Sequence, residues 1–215
     1  MLRQFPADCL NEIFEHLDDK VDLYSCLLVN RLWCEVSVRI LWKSIQNYKT
    51  LIACLPNESK EILCKNEIII SNSISKPLLF NYVAFIKLLS IHGIVENIVS
   101  QSLDNNKKIV MTQEIFQMIM NQTSLKKLYA WPCVNFISKI PPFTTYPGSM
   151  DCLRNLSELI CDSNVNSEFF NQLSQICHNI QSLDISFKRV NSKRVSRFDS
   201  CSTKFEGLEY IQLLS

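Results

Sequence analysis

The sequence predicts an α/β chain, a short three-helix N-terminal unit followed by an irregular solenoid whose strands run parallel. Three observations carry that expectation. Three apolar stripes at helical spacing fall within the first fifty residues, five later segments share one hydrophobic pattern, and helical stretches run just ahead of two of those segments.

The helices come first. Pro6 suits a first helical position, where no hydrogen bond is lost, and Asp8 and Glu12 put negative charge near that helix's N-terminus. Leu10, Ile13, Phe14 and Leu17 follow at i, i+3, i+4 and i+7, with Asn11, Glu12, Glu15 and His16 on the other face. Asp18 to Lys20 reads as a loop. Asp22 is expected to cap a second helix bearing Leu23, Cys26, Leu27 and Leu28, and Asn30 a third bearing Trp33, Val36 and Ile40 before Leu41 and Trp42. Three helices this short form a small core, yet they carry two tryptophans and two phenylalanines. That excess of apolar surface points to a partner face, against the plainer reading of a generic helical cap.

The later segments are Phe85-x-x-Leu88-x-Ser90, Leu125-x-x-Leu128-x-Ala130, Leu156-x-x-Leu159-x-Cys161, Ile180-x-x-Leu183-x-Ile185 and Leu208-x-x-Ile211-x-Leu213. Their starts lie 40, 31, 24 and 28 residues apart. The last two intervals fall within the leucine-rich-repeat period of roughly 20–29 residues, and the earlier two need insertions. The Asn or Cys of that repeat is Cys133 in the second unit and Asn164 in the third, but Gly93 and Lys188 in the first and fourth, so the ladder is eroded. Gln113 to Asn121 and Ser167 to Cys177 present apolar residues at helical spacing ahead of the second and fourth units, with Ser167 as the expected cap of the latter. Unrelated strands in an ordinary α/β domain are the alternative. Between the two parts, Tyr48 to Leu55 reads as a helix stopped by Pro56, and Asn57 to Cys64 as another that Asn57 caps, ahead of Ile68 to Ile70. The expected organisation is therefore residues 1–46, a helical connector at 47–77, and repeats over 78–215 that look incomplete at the C-terminus. A last coil ending at Ser215 would leave an apolar edge exposed and favour self-association.

Composition narrows the function. Lys and Arg number 22 against 21 Asp and Glu, which leaves no general bias towards nucleic acid or anionic membrane, so nucleic acid is disfavoured and no membrane is expected. Three scattered glycines make no phosphate-cradling loop. Ten cysteines without a C-x-x-C pair lack zinc spacing and read as reduced, mostly packed thiols of an intracellular protein, cytoplasmic or nuclear or both; a disulfide framework is the alternative. No catalytic residues, metal ligands or cofactor motif are assigned. Lys188, Arg189, Lys193, Arg194 and Arg197 form one basic cluster without an intervening acid. It reads either as a rim receiving an acidic or phosphorylated target segment or as a solvated face.

The run Phe5-Pro6, Leu10, Ile13-Phe14, Leu17, Asp22-Leu23, Leu28-Val29-Asn30-Arg31, Trp33 and Leu41-Trp42 resembles the F-box pattern, with Phe5 standing where that family carries Leu. The whole chain resembles an F-box protein with degenerate leucine-rich repeats. The resemblance implies that Phe5, Pro6, Leu10, Ile13, Phe14, Leu17, Leu23, Val29, Trp33, Leu41 and Trp42 supply the contact to a Skp-type adaptor, and through it to a cullin. Spacing alone leaves open which of the first helix's four apolar residues point outward. The implied function is a non-catalytic receptor that brings an unknown protein target to a ubiquitin ligase for degradation. A scaffold outside ubiquitin transfer, or a truncated non-functional copy, are the alternatives.

Overall fold

The structure is a computed structural model that describes residues 5–17, 19–68, 78–130, 142–163, 165 and 167–186, together with the backbone of 202–205. It joins a helical N-terminus to a mixed helix and sheet body.

Helix α1 spans Ala7–Glu15 and begins one residue later than expected, with Pro6 as its N-cap and the Pro6 carbonyl accepting from Leu10 N at 3.1 Å. Helix α2 spans Lys20–Cys26. Its cap is Asp19, whose carboxylate accepts from Val21 N at 2.8 Å, and not Asp22, which lies in the first turn. Either aspartate satisfies the end of a helix electrostatically, and the chain uses the earlier one because the helix starts earlier. Helix α3 spans Arg31–Leu41, capped by Asn30 as expected, with Asn30 Oδ1 accepting from Trp33 N at 3.0 Å. Leu10, Phe14, Leu23, Cys26, Val36, Val38, Leu41 and Trp42 are buried together. The Phe14 and Trp33 rings meet edge-on at 5.0 Å, a favoured aromatic geometry.

This small core is extended by later residues. Phe80, Tyr82 and Phe85 pack on it, and the Tyr82 ring lies 4.7 Å from Trp42. Helices α4 (Tyr48–Ala53) and α5 (Asn57–Lys65) bury Leu51 and Leu63 in a second, larger core. Pro56, not Asn57, is the N-cap of α5. Of the β-branched run that follows, Ile68 is buried and the rest lies outside the described residues.

Strands β1 (Leu88–Ser90), β2 (Lys127–Ala130), β3 (Glu158–Asp162) and β4 (Ser182–Ser186) form a parallel sheet in chain order. Four of the five repeated segments thus become neighbouring strands, and Leu208 to Leu213 lies outside the described residues. The helices expected ahead of the second and fourth segments are present, α7 (Asn105–Gln122) before β2 and α9 (Ser167–Ile176) before β4; α6 (Ile91–Val99), also before β2, and α8 (Ser149–Leu153), before β3, were not expected. Helix α7 contains the expected stretch at Gln113 to Asn121 but starts earlier, where Asp104 Oδ1 accepts from Lys107 N at 2.9 Å. Ser167 is the first residue of α9 rather than its cap.

The register corrects the first repeat. Leu128, Leu159 and Leu183 align on one column and are buried, as expected of the motif's middle position. The residue opposite Leu128 on β1 is Leu89, because Leu88 faces Lys127. The true first unit is therefore Ile86-x-x-Leu89-x-Ile91, all three buried, one residue beyond Phe85-x-x-Leu88-x-Ser90. A slip of one residue in a strand exchanges its two faces, so Leu88 and Ser90 belong to the half-buried outer face.

A second departure is strand β5 (Ser202–Phe205), which pairs antiparallel with β4. The sequence reading expects only parallel strands and assigns no element to these four residues. The outer edge of β4 is thereby hydrogen-bonded, as a strand edge requires.

At the other edge, the N-terminal helices are stitched to the sheet. Ser44 makes a parallel bridge to Leu88, and the Lys43 carbonyl accepts from both Lys87 N and Leu88 N at 2.8 Å. The same arrangement recurs one strand on, where the Lys87 carbonyl accepts from Lys126 N and Lys127 N, and again where the Lys126 carbonyl accepts from Ser157 N and Glu158 N. Gly148, at φ 79°, is the one left-handed glycine described. A Cβ there would meet the Met120 carbonyl oxygen at 2.7 Å, so only glycine lets α8 start against the end of α7.

All eight described cysteines are free. Cys26, Cys152, Cys161 and Cys177 are buried, whereas Cys9 and Cys64 are exposed. Burial pushes the Cys161 and Cys177 thiols up to about 12 and raises that of Cys152. Because the thiolate is the nucleophile, iodoacetamide at mildly alkaline pH is expected to label Cys9 and Cys64 in the folded chain and to leave Cys152, Cys161 and Cys177 unmodified. Peptide mass mapping checks this, and labelling of Cys161 before unfolding would contradict its packing.

Candidate functional site

Helix α1 turns Leu10 and Phe14 inward and Ile13 outward, which settles the choice that spacing leaves open. Ile13 stands three positions and Phe14 four positions after Leu10, but Phe14 is the one that meets Trp33, so the helix is rotated with Leu10 and Phe14 at the centre of its buried face. Helix α2 carries two apolar stripes. Leu23 and Cys26 are buried, while Val21 and Tyr24 on the helix and Leu28 in the turn just after it, at i, i+3 and i+7, are exposed. A helical segment that is apolar on both faces needs a partner on the second one.

The exposed apolar residues cluster accordingly. Phe5 is 62% exposed, Ile13 50%, Val29 56% and Leu28 88%. With Val21 and Tyr24 they are six of the nine large apolar residues that stand exposed among those described. Ile13, Leu17, Val29 and Trp33 surround a groove of about 380 Å³ whose remaining walls are Phe14, Asp22, Ser25 and Cys26. Its lining is apolar with two polar positions at one side. Such a groove is suited to receiving apolar side chains of another protein and has no pair of groups placed for acid–base or nucleophilic chemistry.

The eleven residues singled out from the sequence therefore divide. Phe5, Pro6, Ile13 and Val29 are exposed, and Leu17 and Trp33 are half-buried on the groove. Leu10, Phe14, Leu23, Leu41 and Trp42 are buried in the N-terminal core; Phe14 still reaches the groove wall. Leu10 is enclosed by the N-terminal core, so its truncation is expected to act through the stability of that domain. Sequence reasoning passed over Val21, Tyr24 and Leu28 as surface candidates. Their own i, i+3, i+7 spacing, opposite Leu23 and Cys26, was the available signal.

Charge around the groove is sparse. Behind it, Lys43 Nζ pairs with Glu15 Oε1 at 2.7 Å, and the hydrogen bond from Lys43, helped by that from Asn11, holds the Glu15 carboxyl below its ordinary range. The cluster of Lys188, Arg189, Lys193, Arg194 and Arg197 lies outside the described residues. Among the described residues no group of three His, Cys, Asp or Glu side chains could hold a metal ion, and no helix is long and apolar enough to cross a membrane.

No curated protein and no solved structure matches the chain. Residues 2–47, about a fifth of the sequence, match the family model described as F-box-like. F-box domains generally bind Skp-type adaptors of SCF-type ubiquitin ligases. The helices, the groove and the exposed apolar cluster all fall inside the matched residues, so the candidate site is the surface of an F-box-like domain.

Proposed function

We propose that this chain is a substrate-recognition subunit of a cullin-type ubiquitin ligase, non-catalytic itself, whose F-box-like domain docks on the Skp-type adaptor while the following body, read as degenerate leucine-rich repeats, holds a protein target. The observation that carries the proposal is the exposed apolar surface concentrated on residues 5–29 of a domain that matches the F-box-like model. A small helical unit gains nothing by exposing Leu28 and Val29 to water unless a partner covers them. The parallel strands at a decreasing spacing, with one buried leucine column, support the repeat reading of the body. Holding a target at a fixed distance from a conjugating enzyme requires binding and geometry, not reactive side chains. The stitching of Lys43 and Ser44 to β1 makes such a geometry plausible, because the domain and the sheet share backbone hydrogen bonds.

Affinity purification of the full chain from intracellular extract tests this. The adaptor and a cullin are expected to co-purify, and ubiquitination of some co-purified protein should depend on the chain. Capture of neither adaptor nor cullin would reject the receptor reading. Capture of the adaptor without cullin or ubiquitin transfer would favour a scaffold role instead.

A further inference from the structure

Strand β5 covers the edge of β4 without a tight turn to hold it there. Residues 187–201 lie between the two strands, whereas a hairpin loop takes about 2–5 residues. We infer that β5 is a strap over a self-pairing edge, and that the partner this edge fits is β4 of a second copy of the chain. The inference goes beyond the receptor reading and does not depend on it.

The sequence of β4 reads almost the same in both directions, Ser182-Leu183-Asp184-Ile185-Ser186, and so does its burial. Leu183 and Ile185 are buried, and Ser182, Asp184 and Ser186 are half-buried. A two-fold contact needs such a self-complementary patch, because each residue must meet the one that meets it. Turned about Asp184, β4 sets Leu183 against Ile185, and Ser182 against Ser186, of the second copy. Residues directly opposite one another share a face, so the buried side of one sheet runs on into that of the other. The backbone of this edge already accepts an antiparallel strand, since β5 is one. Strands β2 and β3 have parallel neighbours on both sides, and β1 lies between β2 and the bridge from Ser44.

Charge decides which strand occupies the edge. Self-pairing puts Asp184 opposite Asp184 of the second copy, and like charges directly opposite are destabilising. Strand β5 instead places Lys204 opposite Asp184, with Ser202, Thr203 and Phe205 opposite Ser186, Ile185 and Leu183. The strap also competes from within the same chain, which raises its effective concentration. A lysine on an edge strand is itself a device against further pairing. The intact chain therefore keeps the edge shut, and loss of the Lys204 charge or of the β5 ladder opens it.

Sedimentation velocity of the full chain over a concentration series tests this. The parent is expected to stay monomeric. Lys204→Glu keeps the backbone donors but sets a second carboxylate opposite Asp184, so it should dimerise as concentration rises. So should Thr203→Pro combined with Lys204→Pro, because the N–H groups of consecutive strand residues alternate in direction and one of these two faces β4. Adding Asp184→Asn to the proline variant is expected to tighten the dimer about three- to fivefold by removing the like-charge pair. A mixture of Ser182→Cys and Ser186→Cys chains, each also carrying Lys204→Glu and oxidised with glutathione disulfide, should give dimers whose cross-link maps by mass spectrometry to 182 and 186. The same mixture with Lys204 in place should give none. Should the proline variant unfold, Lys204→Glu with this cross-link carries the test alone. Folded Lys204→Glu chains that remain monomeric overturn the inference, and so does a parent chain that dimerises with its strap intact. A dimer without the 182–186 link also overturns it, by placing the contact elsewhere. So does a link in the parent background between Asp184→Cys of one copy and Lys204→Cys of another, which would mean that β5 exchanges between copies.

Discussion

Leu89→Ala is expected to destabilise the chain by about 2–5 kcal/mol, and Leu88→Ala by no more than about 1 kcal/mol, in denaturant titrations. Both residues are leucines on a three-residue strand, so propensity and chemistry are held constant between them. What differs is the face. Leu89 is fully buried and continues the column of Leu128, Leu159 and Leu183, while Leu88 sits half-buried opposite Lys127. Truncating a side chain in that column removes its transfer energy and leaves a cavity between two strands that cannot both move to fill it. Leu159→Ala, enclosed by columns on either side, should cost as much as Leu89→Ala. Ile160→Ala, its outward neighbour, should cost far less. Equal costs at Leu88 and Leu89 would show the strand in the wrong register, and a negligible cost at Leu159 would remove the column altogether.

The same pair shows why one part of the fold was legible and another slipped. Segments two to four each set two polar residues between their first and second apolar positions (Lys126-Lys127, Ser157-Glu158 and Gln181-Ser182), so the L-x-x-L-x-A/C/I pattern has one reading, and those strands formed where it predicted. The first segment is an unbroken apolar run from Val83 to Leu89 interrupted by Lys87 alone, and it fits the motif in two registers. Only the partner strand chooses between them. Strand β5 had no such signal: Ser-Thr-Lys-Phe shows no apolar alternation, and an antiparallel edge strand needs little beyond its backbone hydrogen bonds. The helix caps were legible to within a few residues, since Asp19 and Asp22, or Pro56 and Asn57, are locally interchangeable and tertiary packing decides where the first turn begins. In the candidate site the sequence reading singled out Phe5, Ile13 and Val29, half of the six exposed large apolar side chains there. The rest depended on the roll of α1, which is set by a ring contact between Phe14 and Trp33 that periodicity does not encode.

That roll yields the largest expected functional effect. Ile13→Asp and Val29→Asp should each weaken binding of the full chain to a Skp-type adaptor by at least about thirtyfold, or about 2 kcal/mol, measured by calorimetry or surface capture. Both residues stand exposed on the rim of one groove, so a carboxylate costs little in the free chain but would be buried without a counter-ion once a partner covers it. Their unfolding midpoints should therefore stay within about 0.5 kcal/mol of the parent. Leu10→Ala gives the opposite signature, because Leu10 is enclosed by the N-terminal core: a stability loss of about 2–5 kcal/mol, with any weakened binding following from unfolding. Leu28→Asp extends the test to the turn that follows α2, which the sequence reading had not marked as a surface. If Leu28→Asp weakens binding along with Ile13→Asp, the docking surface runs from the groove across α2. Should Ile13→Asp and Val29→Asp both bind the adaptor with parent affinity while remaining folded, this groove is not the docking face, and the apolar surface of the F-box-like domain must serve a different partner.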